Sequence, residues 1–368
     1  MLSDKELLHL LALQRVPNLG HVSAKKLLHT LGSATAIFEE KKSNLMKIDG
    51  IGELKIRDLH LDPLLTQAQR ELHFIRQQGI SVHYFTDPLY PNGLKHCHDS
   101  PILLYSKGNI DLQHKKIISI VGTRNASSHG IAFCEQLLEE LAPLDPVIVS
   151  GFAYGIDITA QKKATQLGLQ TIGCLAHGLD RIYPRVHAKY CSRIEAHGGF
   201  MTEFRSDAAF ERTNFIKRNR IIAGICQALV VIESGEKGGS LVTADIANSY
   251  HREVFAVPGR PGDPMSVGCN NLLKTHMAQP ITTAADLIYM MGWKVTSESS
   301  RGQQMALFGE LSAEATSLRD HLLKHGKSSL DDIAIALAWP THRVASLLLD
   351  MELKGRIRPL PGKQFEAI

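Results

Sequence analysis

The sequence has no C-x-x-C pair. Its six cysteines, Cys97, Cys134, Cys174, Cys191, Cys226 and Cys269, are scattered, most of them inside apolar segments. That pattern argues against a disulfide framework and points to reduced thiols and a cytoplasmic location. The one tight cluster of ligand-type residues, His96-Cys97-His98, lacks a second pair at metal-site spacing. Adjacent side chains diverge, so no metal site is expected. No apolar run reaches transmembrane length, and the opening MLSDKELLHLLALQRV lacks a signal-peptide layout, so no membrane partner is expected. Excess charge is also scarce: 41 Lys and Arg against 37 Asp and Glu leave a net charge of +4. A nucleic-acid partner must therefore be read from local patches rather than the total. No G-x-G-x-x-G follows the first regular strand, and no acid ends the second (Val149-Ser150) to hold a ribose. Both absences argue against a dinucleotide oxidoreductase.

What the chain does have is glycine at strand ends. In VSGFAYGID, Val149 to Asp157, an apolar run breaks into small residues before a helix-like stretch from Ile158 to Leu167. Two further turns of this kind are Ile120-Val121-Gly122-Thr123-Arg124, and Gly238-Gly239-Ser240-Leu241 after the strand Ala228–Glu233. Such turns leave backbone N–H groups uncovered and let a phosphate approach closely. Three of them predict one site along the carboxyl edge of a parallel sheet.

At 368 residues the chain accommodates two or three domains. Residues 1–62 read as a helical domain with two similar pieces, VPNLG before AKKL and IDGIG before LKIR. Each sets a glycine turn before a basic helix, an arrangement that resembles a helix-hairpin-helix (SAM-like) module. Residues 63–293 form the next domain. From Lys115 onward strands alternate with helices: Ile117–Val121, Pro146–Val149, Gln170–Ala176, Phe200–Glu203, Ala228–Glu233 and Glu253–Pro258 are the strands. This predicts an α/β fold with a mainly parallel sheet. Residues 294–312, rich in Ser, Gly and Gln, read as a linker. Residues 313–368 predict three helices and a terminal β-hairpin, the winged-helix arrangement.

The densest basic segment is 204–220, FRSDAAFERTNFIKRNR, with five Lys or Arg against two acids. On a helix Lys217, Arg220 and Gly224 share one side, whereas Arg218 falls with Phe215, Ile222 and Ile225. An arginine on an apolar face needs a carboxylate, a carbonyl or a phosphate. Phe215 fits either a core position or a base-stacking platform at the rim of a basic groove.

These residues together resemble the DNA-processing protein A family. The resemblance rests on VGTR (Val121–Arg124), SGxAxGID (Ser150–Asp157), GxDxxYP (Gly178–Pro184), FxxRNRIIAG (Phe215–Gly224), GSLVTA (Gly239–Ala244), AVPG (Ala256–Gly259) and GxNxL (Gly268–Leu272). It implies an extended Rossmann-like domain that binds single-stranded DNA. It also implies a homodimer that protects incoming strands and loads RecA recombinase during natural transformation, with no cofactor and no enzymatic activity. Carried onto this chain, Gly122, Thr123, Arg124, Ser150 and Gly151 line a phosphate pocket, and Gly239 and Ser240 close it. Phe215, Lys217, Arg218 and Arg220 stand beside it, and Arg212 matches a basic family position. The chain departs from the family pattern at Ile216, where Pro is usual, at Gly238, where Ser is usual, and at His276-Met277, where Gly-Ala is common.

The main rival is a nucleotide-hydrolysing enzyme of the phosphoribohydrolase type. Those enzymes carry a Pro-Gly-Gly-x-Gly-Thr loop, and this chain has Glu236-Lys237-Gly238-Gly239-Ser240 instead. Asp157, in a first helical turn, reads as a helix cap. Glu203, at a strand end, is the open candidate for acid–base work. A regulator acting through the winged helix alone would leave the three phosphate loops without a role.

Overall fold

The computed structural model describes residues 2–60, 62–113, 115–294, 313–353, 356–360 and 364–367. The chain divides into two compact units, Met1–Lys294 and Val295–Ile368. Among the described residues, no helix is long and apolar enough to cross a membrane.

Six strands form the centre of the first unit: β3 (Ile117–Val121), β4 (Val147–Ser150), β5 (Thr171–Cys174), β6 (Gly198–Thr202), β7 (Ala228–Val231) and β8 (Glu253–Ala256). They pair in parallel. Strands covered on both faces carry continuous apolar runs, and β3, β4 and β7 are buried throughout. Alternate residues feed opposite layers. Ile118 and Ile120 pack with α8 (Ser128–Leu141) and α9 (Ile156–Gln166), while Ile117 and Val121 pack with α11 (Arg212–Ile225) and α12 (Gly239–Ser249). Each fully buried aliphatic side chain in these layers contributes about 1.5–3 kcal/mol.

Among the described residues β1 (Ser81–Tyr84), β2 (Leu103–Gly108) and β9 (Gln279–Pro280) complete a nine-stranded sheet in the order β1-β2-β6-β5-β4-β3-β7-β8-β9. Chain order reverses at β3, which has β4 on one side and β7 on the other. A crevice outside the carboxyl ends of the strands opens at such a reversal. The mainly parallel α/β sheet read from the sequence is present. Two antiparallel strands, β1 and β2, extend it beyond β6, and the short β9 closes the other edge.

The opening residues form α1 (Asp4–Leu13), α2 (His21–Leu31), α3 (Ala34–Glu39), α4 (Lys42–Leu45) and α5 (Glu53–Ile56). Ser3 and Ser33 cap α1 and α3. Gly20 and Gly52 open α2 and α5 with no side-chain cap, as the two glycine turns predict. These helices do not build a core of their own. Leu10, Leu13, Leu27 and Ile56 pack in one cluster with Ala68 and Ile75 of α6 (Asp62–Gln77) and with Leu103 and Tyr105 of β2. Buried Arg15 adds a polar tie, meeting Glu71 at 3.4 Å and Asp207 at 2.5 Å.

The second unit contains α15 (Ala313–His325), α16 (Leu330–Leu337) and α17 (Thr341–Leu353), with a sheet ordered β10 (Ser328–Ser329), β12 (Gln364–Ala367), β11 (Ile357–Leu360). Leu318, Leu322, Ile333, Val344, Leu348 and Met351 form its core. Three helices and a hairpin make the expected winged helix. Asp332 closes a capping box with Ser329 at the start of α16. The expected linker, 294–312, lies outside the described residues apart from Lys294.

Candidate nucleic-acid interface

The loops after β3, β4 and β7 meet at the chain reversal. The Thr123 N–H donates to the Glu233 carbonyl at 2.7 Å, and the Ile156 N–H donates to the Thr123 carbonyl at 3.2 Å. The Glu233 carboxylate then accepts from the Ser127 amide at 2.9 Å and hydroxyl at 2.5 Å, which fixes the start of α8. Glycine is required where the loops touch. Gly155 sits at φ 71°, and a Cβ there would run into the Thr123 carbonyl.

Between these loops and α11 lies a cavity of about 280 Å³, with Gly122, Thr123, Arg124, Phe215, Gly239 and Ser240 in its wall. Gly238 opens α12 here with no side-chain cap. The amide end of an 11-residue helix therefore faces the cavity, and such an end attracts anions. Ser240 is held by a 2.9 Å hydrogen bond to the Ser234 hydroxyl. Arg124 is exposed, with its guanidinium carbon 5.6 Å from the Phe215 ring centroid.

Ser150 and Gly151 do not reach this wall, and Arg218 reaches it only as part of its buried floor. Ser150 is fully buried, and its hydroxyl donates to the Ile120 carbonyl at 2.7 Å. Gly151 is buried behind Arg218. Arg218 is only 4% exposed, and its Nη1 donates to the carbonyls of Gly151 and Cys174, both at 2.5 Å. Burial pushes the Asp157 carboxyl up from its ordinary range against the pull of Arg218 and the loop amides, and burial lowers Arg218 against the pull of Asp157. Asp157 is not the helix cap its position suggests. Its Oδ2 accepts from the Gly151 and Ala153 amides at 3.1 and 3.4 Å, so it holds the loop after β4. Arg218 and Asp157 form the buried floor of the cavity and buttress the loop after β4.

Lys217 and Arg220 lie on another side of α11, in a separate cleft of about 560 Å³ that also takes in His21, Glu203 and Arg205. Arg220 donates to the Asp99 carbonyl and to Glu203, which also meets His21 Nε2 at 2.9 Å. Burial raises the Glu203 carboxyl, but His21 and Arg220 outweigh it and hold the group below the ordinary glutamate value. A carboxyl held ionised in this way is poorly matched to acid–base catalysis near neutral pH. Arg212 is exposed in the first turn of α11 and lines neither space. The twelve expected site residues thus divide into a cavity wall, its buried support, a second cleft and one free position.

Two aromatic residues escape the sequence reading. Tyr183 and Phe210 are each 43% exposed, with ring centroids 5.0 Å apart. Phe215 lies 6.0 Å from the first and 5.8 Å from the second. Phe210 stands five positions before Phe215 in the same basic run, and Tyr183 belongs to the GxDxxYP motif. Apolar rings outside any regular periodic pattern are the signal that marks them.

Comparison with known proteins places the chain in a family. Residues 81–292 match the family model for DNA recombination-mediator protein A, and residues 306–363 match the DprA winged helix domain. Protein Smf of Escherichia coli is 33% identical over 319 residues, covering 81% of this chain and 83% of that protein. DNA processing protein DprA of Bacillus subtilis is 36% identical over 228 residues, covering 62% and 76%. The X-ray structure of DprA from Streptococcus pneumoniae superposes with a TM-score of 0.64 at 28% identity, covering 78% of this chain and 98% of that one. DNA processing protein A from Helicobacter pylori, described for its single-stranded DNA binding mode, superposes with a TM-score of 0.52 at 29% identity, covering 58% and 95%. A family model that spans the whole loop-bearing sheet, and a relative one-third identical along most of both chains, show that this chain belongs to the DNA recombination-mediator protein A family.

Proposed function

We propose that this protein binds single-stranded DNA in the cavity between the β3, β4 and β7 loops. The observation that carries the reading is the meeting of an uncapped helix start, an exposed arginine and an aromatic trio in one place. Amides at a helix N-terminus and a guanidinium suit phosphate, and exposed rings suit unpaired bases. A duplex offers its phosphates but not its base faces, so this combination favours single strands. In this reading Gly122, Thr123, Arg124, Gly239 and Ser240 contact the strand and Phe215 stacks a base. Ser150, Gly151 and Arg218 position the loop after β4. Lys217, Arg220 and Arg212 extend the basic surface of α11.

The H. pylori relative, described for single-stranded DNA binding, supports this assignment. The family resemblance extends it: a cytoplasmic homodimer protects incoming strands and passes them to RecA recombinase during natural transformation. Fluorescence anisotropy with matched single- and double-stranded oligonucleotides, beside a nucleotide-hydrolysis assay, tests the core of the reading. Tighter single-strand binding without turnover is the expected result. Equal affinity for duplex, or hydrolysis abolished by Arg124→Ala, would overturn it in favour of a duplex binder or a nucleotide hydrolase.

A further inference from the structure

The surface beside the cavity also has the character of a strand-binding face. Ala153 lines the cavity, and the next residue, Tyr154, is 45% exposed. Its ring lies edge-on to His187 at 5.0 Å, and the His187 ring lies 6.1 Å from Tyr190. His187 is buried, with Nδ1 at 3.1 Å from the Phe152 carbonyl, so it holds the two tyrosines in fixed relation.

Two ammonium groups converge on Tyr190. Lys162 Nζ of α9 is 5.6 Å from the ring centroid, and Lys189 Nζ of α10 (Ala188–Ala196) is 5.2 Å from it. Both lysines are exposed. The neighbouring Lys163 pairs with Glu139, whereas Lys162 and Lys189 have no carboxylate partner among the described residues. The segment from Arg181 to Ile194 has four Lys or Arg and no acidic residue. Two unneutralised cations on one ring repel each other and favour an anion brought to that place. An aromatic–basic face continuous with an anion-binding cavity suits more of the same polyanion.

We propose that this face carries the single strand away from the cavity. A base stacks on Tyr154, and phosphates pair with Lys162 and Lys189 over the Tyr190 ring. The proposal rests on the reading of the cavity as a single-stranded DNA site, and it adds a second stretch of the same strand.

The test uses the full chain and two oligothymidylates, one of about 6 nucleotides and one of about 16. In the Lys162→Gln, Lys189→Gln double variant the short oligomer should bind as it does to the parent protein. The long one should bind roughly tenfold more weakly at about 0.15 M salt, with its log–log salt slope reduced in magnitude by about 1.4. Tyr154→Ala should weaken the long oligomer about 5- to 150-fold and leave its slope unchanged. The double Lys→Arg variant should restore long-oligomer binding, which a fold defect would not allow. Unchanged long-oligomer affinity in the Gln variant overturns this proposal alone, as does an equal loss for both lengths. Failure of the parent protein to bind either length overturns the cavity reading and this proposal with it.

Discussion

Arg124 lies over the ring of Phe215, with 5.6 Å between guanidinium carbon and ring centroid. One residue comes from the loop after β3 and the other from the first turn of α11. The pair brings a phosphate ligand and a stacking ring to the scale of one nucleotide. Their contributions separate by salt. Arg124→Ala should weaken binding about equally for all sequences and flatten the log–log salt slope by about 0.7. Anisotropy titrations across a salt series measure this, and an affinity independent of salt would refute the phosphate contact.

Phe215→Ala should weaken binding about 5- to 150-fold without changing the salt slope, because no charge is lost. Phe215 is half-buried, and its neighbours are the exposed rings of Tyr183 and Phe210. Thermal unfolding on the same sample checks the assignment. A large drop in Tm with the affinity of the folded protein unchanged would make Phe215 a core residue.

Arg218 is predicted to matter chiefly for folding. Arg218→Met leaves the buried Gly151 and Cys174 carbonyls without their donor and removes the charge that offsets the burial of Asp157, which should cost at least about 1–3 kcal/mol. Adding Asp157→Asn should recover a substantial part of that loss, since no unpaired charge then remains. Urea denaturation of both variants measures the difference. A singly substituted protein of parental stability would show that the buttress is dispensable.

Acid should act through Glu203. His21 and Arg220 hold its carboxyl below the ordinary glutamate value of 4.5 in the folded chain. The stabilisation is therefore full above the unfolded-state value and is lost as pH falls through the lower native value. The stability–pH curve of Glu203→Gln should be flatter than that of the parent below about pH 4.5. Superimposable acid limbs would remove Glu203 from the linkage.

Removal of residues 313–368 should leave a folded protein that still binds single strands, since Met1–Lys294 is compact by itself. Circular dichroism and anisotropy on the truncated chain check both halves of the expectation. Unfolding, or complete loss of binding, would refute this separation of roles.

The six parallel strands and their three glycine loops were legible because doubly covered strands are continuous apolar runs that stop abruptly at their carboxyl ends. β1 and β2 were not. They pair antiparallel at the margin of the sheet, and Pro88, Pro91 and Pro101 interrupt the pattern around them. Helical periodicity placed Arg218 on the apolar side of α11 but could not name its acceptors, which come from the loop after β4 and the end of β5, far away in sequence. The same limit applies to Asp157. Its place in a first turn suggests a cap, and only the folded loop brings the Gly151 and Ala153 amides to its carboxylate. Periodicity also separated Lys217 and Arg220 from Phe215, but the cleft they face needs His21 from a helix nearly two hundred residues earlier.

Gly238 opens α12 without a side chain that reaches back to its amides. A serine at that position would act as a built-in competitor, offering its own oxygen where a phosphate is to dock. With glycine the docking anion is itself the cap, so occupancy and helix termination become a single event. Amide hydrogen exchange in the first turn of α12 should then slow when a strand binds, making that turn a local reporter of loading.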